Sequence, residues 1–200
     1  MNKLRRWEKG WRGFSPSTFL RKNQPQIEHP IRQIIFEEAV KSGKTVLDAG
    51  CGSCIDYPRY KKHGIKYTGV DITKHFIEYA KSIYPEIDVR FGSVLALPFK
   101  NESYDAVYCK SVLVHMHPND IENAIKELWR VARNKMMLAF ERTPTNEAPL
   151  IITEPKKRFY VNRYNEEELK KIIRELNGFK NLIIKTKIGY NNMALYIVEK

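Results

Sequence analysis

The stretch Val46-Leu-Asp-Ala-Gly-Cys-Gly-Ser-Cys54 concentrates the residues best placed to do chemistry, and it admits three readings. It is a glycine-rich turn that brings backbone close to a nucleotide, a Cys51-x-x-Cys54 redox pair, or half of a zinc site. A redox pair gains from a helix N-terminus, where a thiolate is stabilised. Here, however, the first cysteine lies between Gly50 and Gly52, in a loop with a better use. Zinc needs two further ligands, and the nearest stock is Cys109 with His115 and His117; no second Cys-x-x-Cys accompanies them.

The periodicity of the chain supplies elements that position this loop. Ile27, Ile31, Ile34, Ile35, Ala39 and Val40 share a helical face that stops at Gly43. Residues 45–48 then read as a short buried strand running into Gly50. A second strand, 65–70, ends at Asp71, and Thr73 is placed to cap a helix carrying Phe76, Ile77, Ala80 and Ile83 as far as Pro85. Residues 87–91 and 104–109 read as strands three and four, the latter nearly all apolar, as a strand covered on both faces should be. Ile121, Ala124, Ile125, Leu128, Trp129 and Ala132 mark a helix, and 135–140 a fifth strand. Asn165 and Glu168 start a last helix, through Ile172, Ile173 and Leu176. Two β-rich runs, 182–188 and 194–198, flank Gly189-Tyr-Asn-Asn, a hairpin signal. Strands alternating with helices predict an α/β, doubly wound parallel sheet ending in an antiparallel hairpin. A length of 200 residues suits one domain, 1–200.

Within that frame the nucleotide reading explains the most residues. Gly50 and Gly52 after a strand let backbone approach a ligand and are expected to present free N–H groups. Asp71 ends the next strand, about 20 residues on, where an acid accepts from a ribose diol. A dinucleotide also needs the third glycine of G-x-G-x-x-G, and that position is Ile55. Asp48, just before the turn, disfavours a pyrophosphate and suits an ammonium group. A ligand with a ribose, no pyrophosphate and a cationic end is implied, a description that S-adenosyl-L-methionine fits.

Val46-Leu-Asp-Ala-Gly-Cys-Gly resembles motif I of the class I S-adenosylmethionine-dependent methyltransferases of the Rossmann-like superfamily. The resemblance continues in order through Tyr67-Thr-Gly-Val-Asp-Ile, Gly92-Ser-Val-Leu-Ala-Leu-Pro-Phe and Tyr104-Asp-Ala-Val-Tyr-Cys-Lys-Ser-Val-Leu-Val-His. It implies a seven-stranded mixed sheet, order 3-2-1-4-5-7-6, with helices on both faces. It also implies that Asp48, Ala49, Gly50, Cys51 and Gly52 hold the methionine end, Asp71 the ribose hydroxyls with Ile72 beside the adenine, and Gly92, Ser93 and Val94 the adenine edge. Lys110 and Ser111 would line the methyl-transfer face. The family often carries Asp where Ser93 stands, and a hydroxyl is the weaker acceptor. Pro58 requires a helix to begin there or just before, which leaves Asp56 and Tyr57 beside the ligand. No metal is implied.

Methyl transfer from a sulfonium is an in-line displacement that rewards alignment and exclusion of water. Where the acceptor carries a proton a base helps, and His115 and His117, just past strand four, are the candidates. Either histidine has the competing role of packing at the domain edge or capping the turn after Pro118. Cys109 stands near the nucleophile position of cytosine-C5 methyltransferases, but their preceding proline is Tyr108 here.

The acceptor side falls to two aromatic and basic segments: an N-terminal arm, 1–26, with Trp7, Trp11 and Phe14, and an insert, 142–164, with Arg142, Tyr160 and Tyr164. The core is assigned to 27–200. The net charge of +12 arises from 35 basic and 23 acidic residues. The arm is the most basic stretch, which suits an anionic partner or plain solubility. A small-molecule acceptor is the leading expectation. RNA bound through the arm is a second, and a non-catalytic S-adenosylmethionine-binding protein a third, as a monomer or homodimer. The basic start lacks the apolar core of a signal peptide, and no apolar run approaches the ~20 residues that span a bilayer. Three cysteines cannot all pair, which fits a reducing compartment, so a cytoplasmic protein is expected.

Overall fold

The computed structural model describes residues 13–17, 29–140, 151–153, 161–189 and 193–200. Helix α1 (Pro30–Ser42) opens on the His29 cap, with proline at its first position where the absent N–H costs nothing. It leads into β1 (Thr45–Ala49), the short α2 (Tyr57–Lys62), β2 (Lys66–Asp71), α3 (Lys74–Ile83), β3 (Asp88–Phe91) and β4 (Tyr104–Lys110). Two 3-10 turns, Leu113–His115 and Pro118–Asp120, precede α4 (Ile121–Val131) and β5 (Ala132–Phe140). After these come β6 (Ile151–Thr153), β7 (Val161–Arg163), α5 (Glu166–Arg174), β8 (Asn181–Ile188) and β9 (Met193–Glu199).

Seven strands form one sheet in the order β3-β2-β1-β4-β5-β9-β8. The first five run parallel, and β9 and β8 pair antiparallel to close the edge. Counting the strands of this sheet alone, that is the expected 3-2-1-4-5-7-6. The two short strands β6 and β7 pair separately as an antiparallel ribbon within the insert, an element the sequence pattern does not signal.

Alternation along the central strands divides the core. Leu47, Val107, Met136 and Leu138 pack under α4 and α5, while Val46, Ala106, Tyr108 and Met137 pack under α1, α2 and α3. The buried face of α1 departs from the expected one: it takes in Arg32 and Phe36 and leaves Val40 exposed. Arg32 is tolerated there because its guanidinium pairs with the buried Asp56 carboxylate. Asn165 caps α5 as its spacing from Glu168 predicts, its side-chain oxygen accepting from the N–H groups of Glu167 and Glu168. Thr73, by contrast, makes no side-chain cap at α3. Its N–H donates instead to Oδ1 of Asp71 at 2.8 Å.

Candidate cofactor and acceptor site

Because β1, β2 and β4 run parallel, their C-terminal ends open on one edge, where the chain order reverses between β1 and β4 and ligands of open α/β sheets bind. The turn after β1 sits at that point. Gly50 has φ 85 and Gly52 φ 53, backbone that glycine adopts without steric cost. At Gly50 the requirement is also one of space: a Cβ there would lie 2.1 Å from Cγ2 of Val112, in the segment after β4.

The N–H groups of this turn are engaged with β2, contrary to the expectation that they stand free. Gly50 and Cys51 both donate to the carbonyl oxygen of Val70, at 2.7 and 3.1 Å, and Gly52 donates to Oδ2 of Asp71 at 2.8 Å. The turn folds back on the neighbouring strand because Ala49 pairs with Val70 in register. Asp71 thus accepts one N–H on each oxygen. A carboxylate offers about four lone-pair directions, so room for a diol remains. Burial raises the pKa of Asp71, and the N–H groups of Gly52 and Thr73 act in the opposite direction.

Asp48 lies between Gly69 of β2 and Tyr108 of β4. It is 5% exposed and accepts from the Tyr67 hydroxyl at 2.8 Å. Burial, with Asp56 close by, pushes its pKa up to about 7, against the pull of the Tyr108 and Tyr67 hydroxyls and of Arg32. Sequence reasoning missed this buried ring of Arg32, Asp56, Tyr67 and Tyr108. Its one sequence signal is an arginine within the apolar stripe of α1.

On the other side of the opening, Ser93 turns its hydroxyl to the N–H of Leu95 at 3.2 Å, and Val94 is buried. Ile72 and Gly92 are half-buried beside them. Ser111 has φ 58, its N–H donates to Ala139, and its hydroxyl lies 3.3 Å from Nζ of Lys110. Lys110 faces His29 at the start of α1. There, burial first and then Lys110 and Arg32 hold the His29 pKa below its ordinary value.

His115 is buried in the first 3-10 turn. The ring of His117 caps the second, its Nδ1 accepting from the N–H of Asn119 at 3.2 Å, which is the capping role weighed against base chemistry for it.

Two residues expected on the acceptor side lie in the core instead. Tyr57 is the first residue of α2, since Pro58 forces the helix to start there; its ring packs against Tyr67 and Tyr84 and its hydroxyl donates to Glu86 at 2.8 Å. Tyr164 is buried and donates to the carbonyl oxygen of Leu113 at 2.6 Å. Phe14 is partly exposed, its carbonyl oxygen 3.1 Å from Nε2 of His75 at the start of α3. Trp7, Trp11, Arg142 and Tyr160 lie outside the described residues. Among the described residues, no group of three or more His, Cys, Asp or Glu is placed to hold a metal ion, and no helix is long and apolar enough to cross a membrane.

An open α/β sheet of this order, with a glycine turn after β1 tied to an acid ending β2, defines a Rossmann-like fold. Residues 46–135 match the family described as "Methyltransferase domain". O-methyltransferase resE of Aspergillus sclerotiorum is 29% identical over 119 residues, 56% of this chain and 44% of that protein. O-methyltransferase rstn1 of Aspergillus nomiae is 32% identical over 104 residues, 48% and 45%. The chain thus spans under half the length of these curated relatives.

Among solved structures, 1,6-didemethyltoxoflavin-N1-methyltransferase of Burkholderia thailandensis, with S-adenosylhomocysteine bound, superposes with a TM-score of 0.71 at 15% identity, covering 100% of this chain and 91% of that one. Magnesium protoporphyrin IX methyltransferase of Synechocystis PCC 6803, with SAM bound, gives 0.63 at 21%, covering 98% and 90%. At these identities the likeness establishes the fold. The sequence match over residues 46–135 is to a methyltransferase domain.

Proposed function

We propose that this protein transfers a methyl group from S-adenosylmethionine to a small or medium-sized acceptor, releasing S-adenosylhomocysteine. The observation that carries the reading is the tie between the Gly50–Gly52 turn and Asp71, flanked by an acid, Asp48, poised to ionise near neutrality. The residues present fit the cofactor's chemistry. Asp71 retains acceptor capacity for a diol, and Asp48 offers a carboxylate to an ammonium. Arg32 Nε and Ser53 Oγ are buried polar atoms without a hydrogen-bond partner among the described residues, and polar ligand groups near them would satisfy them.

When bound, S-adenosylmethionine supplies a methyl group already activated by the sulfonium charge. The chain's residues supply position and dryness. Asp71 and the turn fix the nucleoside, and Asp48 balances the cationic end. Lys110 and Ser111 line the face toward the acceptor, and the 3-10 turn carrying His115 walls it. His115, and after it His117, is the candidate for accepting a proton from the acceptor. The naming of two relatives as O-methyltransferases supports an oxygen acceptor.

The test is methyl-label transfer from S-adenosylmethionine by the purified chain into a fractionated cell extract. Label is expected in the small-molecule fraction, in a reaction that S-adenosylhomocysteine inhibits. Label confined to RNA would overturn the acceptor class.

A further inference from the structure

We propose that Cys51 and Cys54 form a reversible dithiol–disulfide site that controls the affinity of the cofactor turn, an inference that rests on the cofactor reading above. The two residues close one turn, the N–H of Cys54 donating to the carbonyl oxygen of Cys51 at 3.0 Å. Their sulfurs lie 3.7 and 3.9 Å from a single oxygen, the carbonyl of Gly52. They also crowd one point on β2: a Cβ on Gly69 would sit 2.8 Å from Sγ of Cys51 and 3.2 Å from Sγ of Cys54. Gly69 therefore leaves a shared space in which the sulfurs are neighbours. The third cysteine, Cys109, packs on the opposite face of the sheet and is excluded from the pair.

The chemistry needs an oxidant of the low-molecular-weight disulfide class. The Cys51 thiolate, the less buried of the two, attacks one sulfur of that disulfide and expels its partner as a thiolate. Cys54 then displaces the second half, forming the Cys51–Cys54 bond. The protein gives up two protons and two electrons, and the reagent becomes two thiols. Both thiols are buried and carried on the turn itself, so oxidation requires the turn to open, and a ligand seated on the turn protects it.

The bond reaches the cofactor site through one residue. Cys51 is anchored by its N–H to Val70 and is followed directly by Gly52, whose N–H holds Asp71. Drawing the sulfurs into bonding distance reorients Cys51, and with it the donor that fixes the Asp71 carboxylate. Linkage is reciprocal: if the disulfide weakens cofactor binding, the cofactor disfavours the disulfide by the same factor.

The experiment exposes the full chain to oxidised glutathione with and without S-adenosylhomocysteine, maps cysteine pairing by peptide mass, and titrates S-adenosylmethionine into the product by calorimetry. The expected result is a Cys51–Cys54 bond that forms more slowly in the presence of S-adenosylhomocysteine, with affinity reduced roughly tenfold and restored by dithiothreitol. Cys54→Ser should bind the cofactor within a few-fold of the reduced wild type and, on exposure to the oxidant, stop at a glutathione adduct on Cys51 with no internal bond. In the wild type, a glutathione adduct without the internal bond, or a mapped bond with unchanged affinity, would overturn the proposal. If the reduced protein bound no cofactor, the cofactor reading would fail and affinity control with it, while peptide mapping, which needs no cofactor, would still decide the bond.

Discussion

The N–H of Gly52 donates to Oδ2 of Asp71 across 2.8 Å, so the turn after β1 and the acid ending β2 form one unit. Asp71→Ala removes the carboxylate that the turn is tied to and that is proposed to hold the ribose, and should weaken S-adenosylmethionine binding by roughly 1 to 3 kcal/mol. Asp71→Asn, which keeps one oxygen, should lose less. An unchanged calorimetric affinity in Asp71→Ala would contradict the assignment of the ribose site.

Cofactor affinity should depend on pH through Asp48. Its pKa is raised from an ordinary 3.8 to about 7, so between these values the folded protein holds a proton that the unfolded chain has released. Stability from this group is therefore full below pH 3.8 and falls as pH rises toward 7. An ammonium ligand favours the ionised carboxylate, so its binding displaces that proton and tightens as pH climbs through the same range, levelling off above it. Asp48→Asn should flatten the dependence and remove the proton release read from buffer-dependent binding enthalpies. A wild-type affinity constant from pH 6 to 8 would contradict this role for Asp48.

The two glycines of the turn should differ in tolerance. Both have positive φ, but a Cβ on Gly50 would meet Val112 at 2.1 Å, whereas on Gly52 it would meet nothing within 4 Å. Gly52→Ala should cost about 1 kcal/mol of stability from left-handed backbone alone. Gly50→Ala should cost more, by roughly 1 to 3 kcal/mol for the added overlap. Equal shifts in thermal unfolding would show that Val112 yields freely.

The sheet order and the glycine turn were legible in the sequence because period and punctuation are local. A strand of apolar residues, a glycine pair and an acid closing the next strand are read without knowing what they touch. The fate of Tyr57 was not legible. Helix α2 begins at that residue, which buries the ring against Tyr67 and Tyr84 rather than leaving it in the loop. Nor was the engagement of the turn's N–H groups, which depends on the register of Ala49 against Val70. The buried set around Asp48 escaped because Arg32 and Asp56 stand 24 residues apart and meet only once α1 is laid across the sheet.

Tyr164 should act through position. Its hydroxyl donates to the carbonyl of Leu113, and Asn162 beside it donates to that of Met116, so β7 and the residue after it hold the turn bearing His115. Tyr164→Phe should lower stability by about 1 to 2 kcal/mol. It should also reduce turnover while leaving S-adenosylmethionine affinity unchanged, since the cofactor turn lies on other strands. A matching loss of cofactor affinity would show that the two regions are coupled.

Calorimetric titration of S-adenosylmethionine into the purified chain, followed by methyl-label transfer in the same preparation, tests the central claim most directly. One site per chain is expected, with a dissociation constant between about 1 μM and 1 mM, the span in which enzymes commonly hold their substrates, weakened in Asp71→Ala and accompanied by transfer of label to a small molecule. Absence of binding by the folded wild type would contradict the cofactor site, and saturable binding without transfer to any extract fraction would contradict the enzyme.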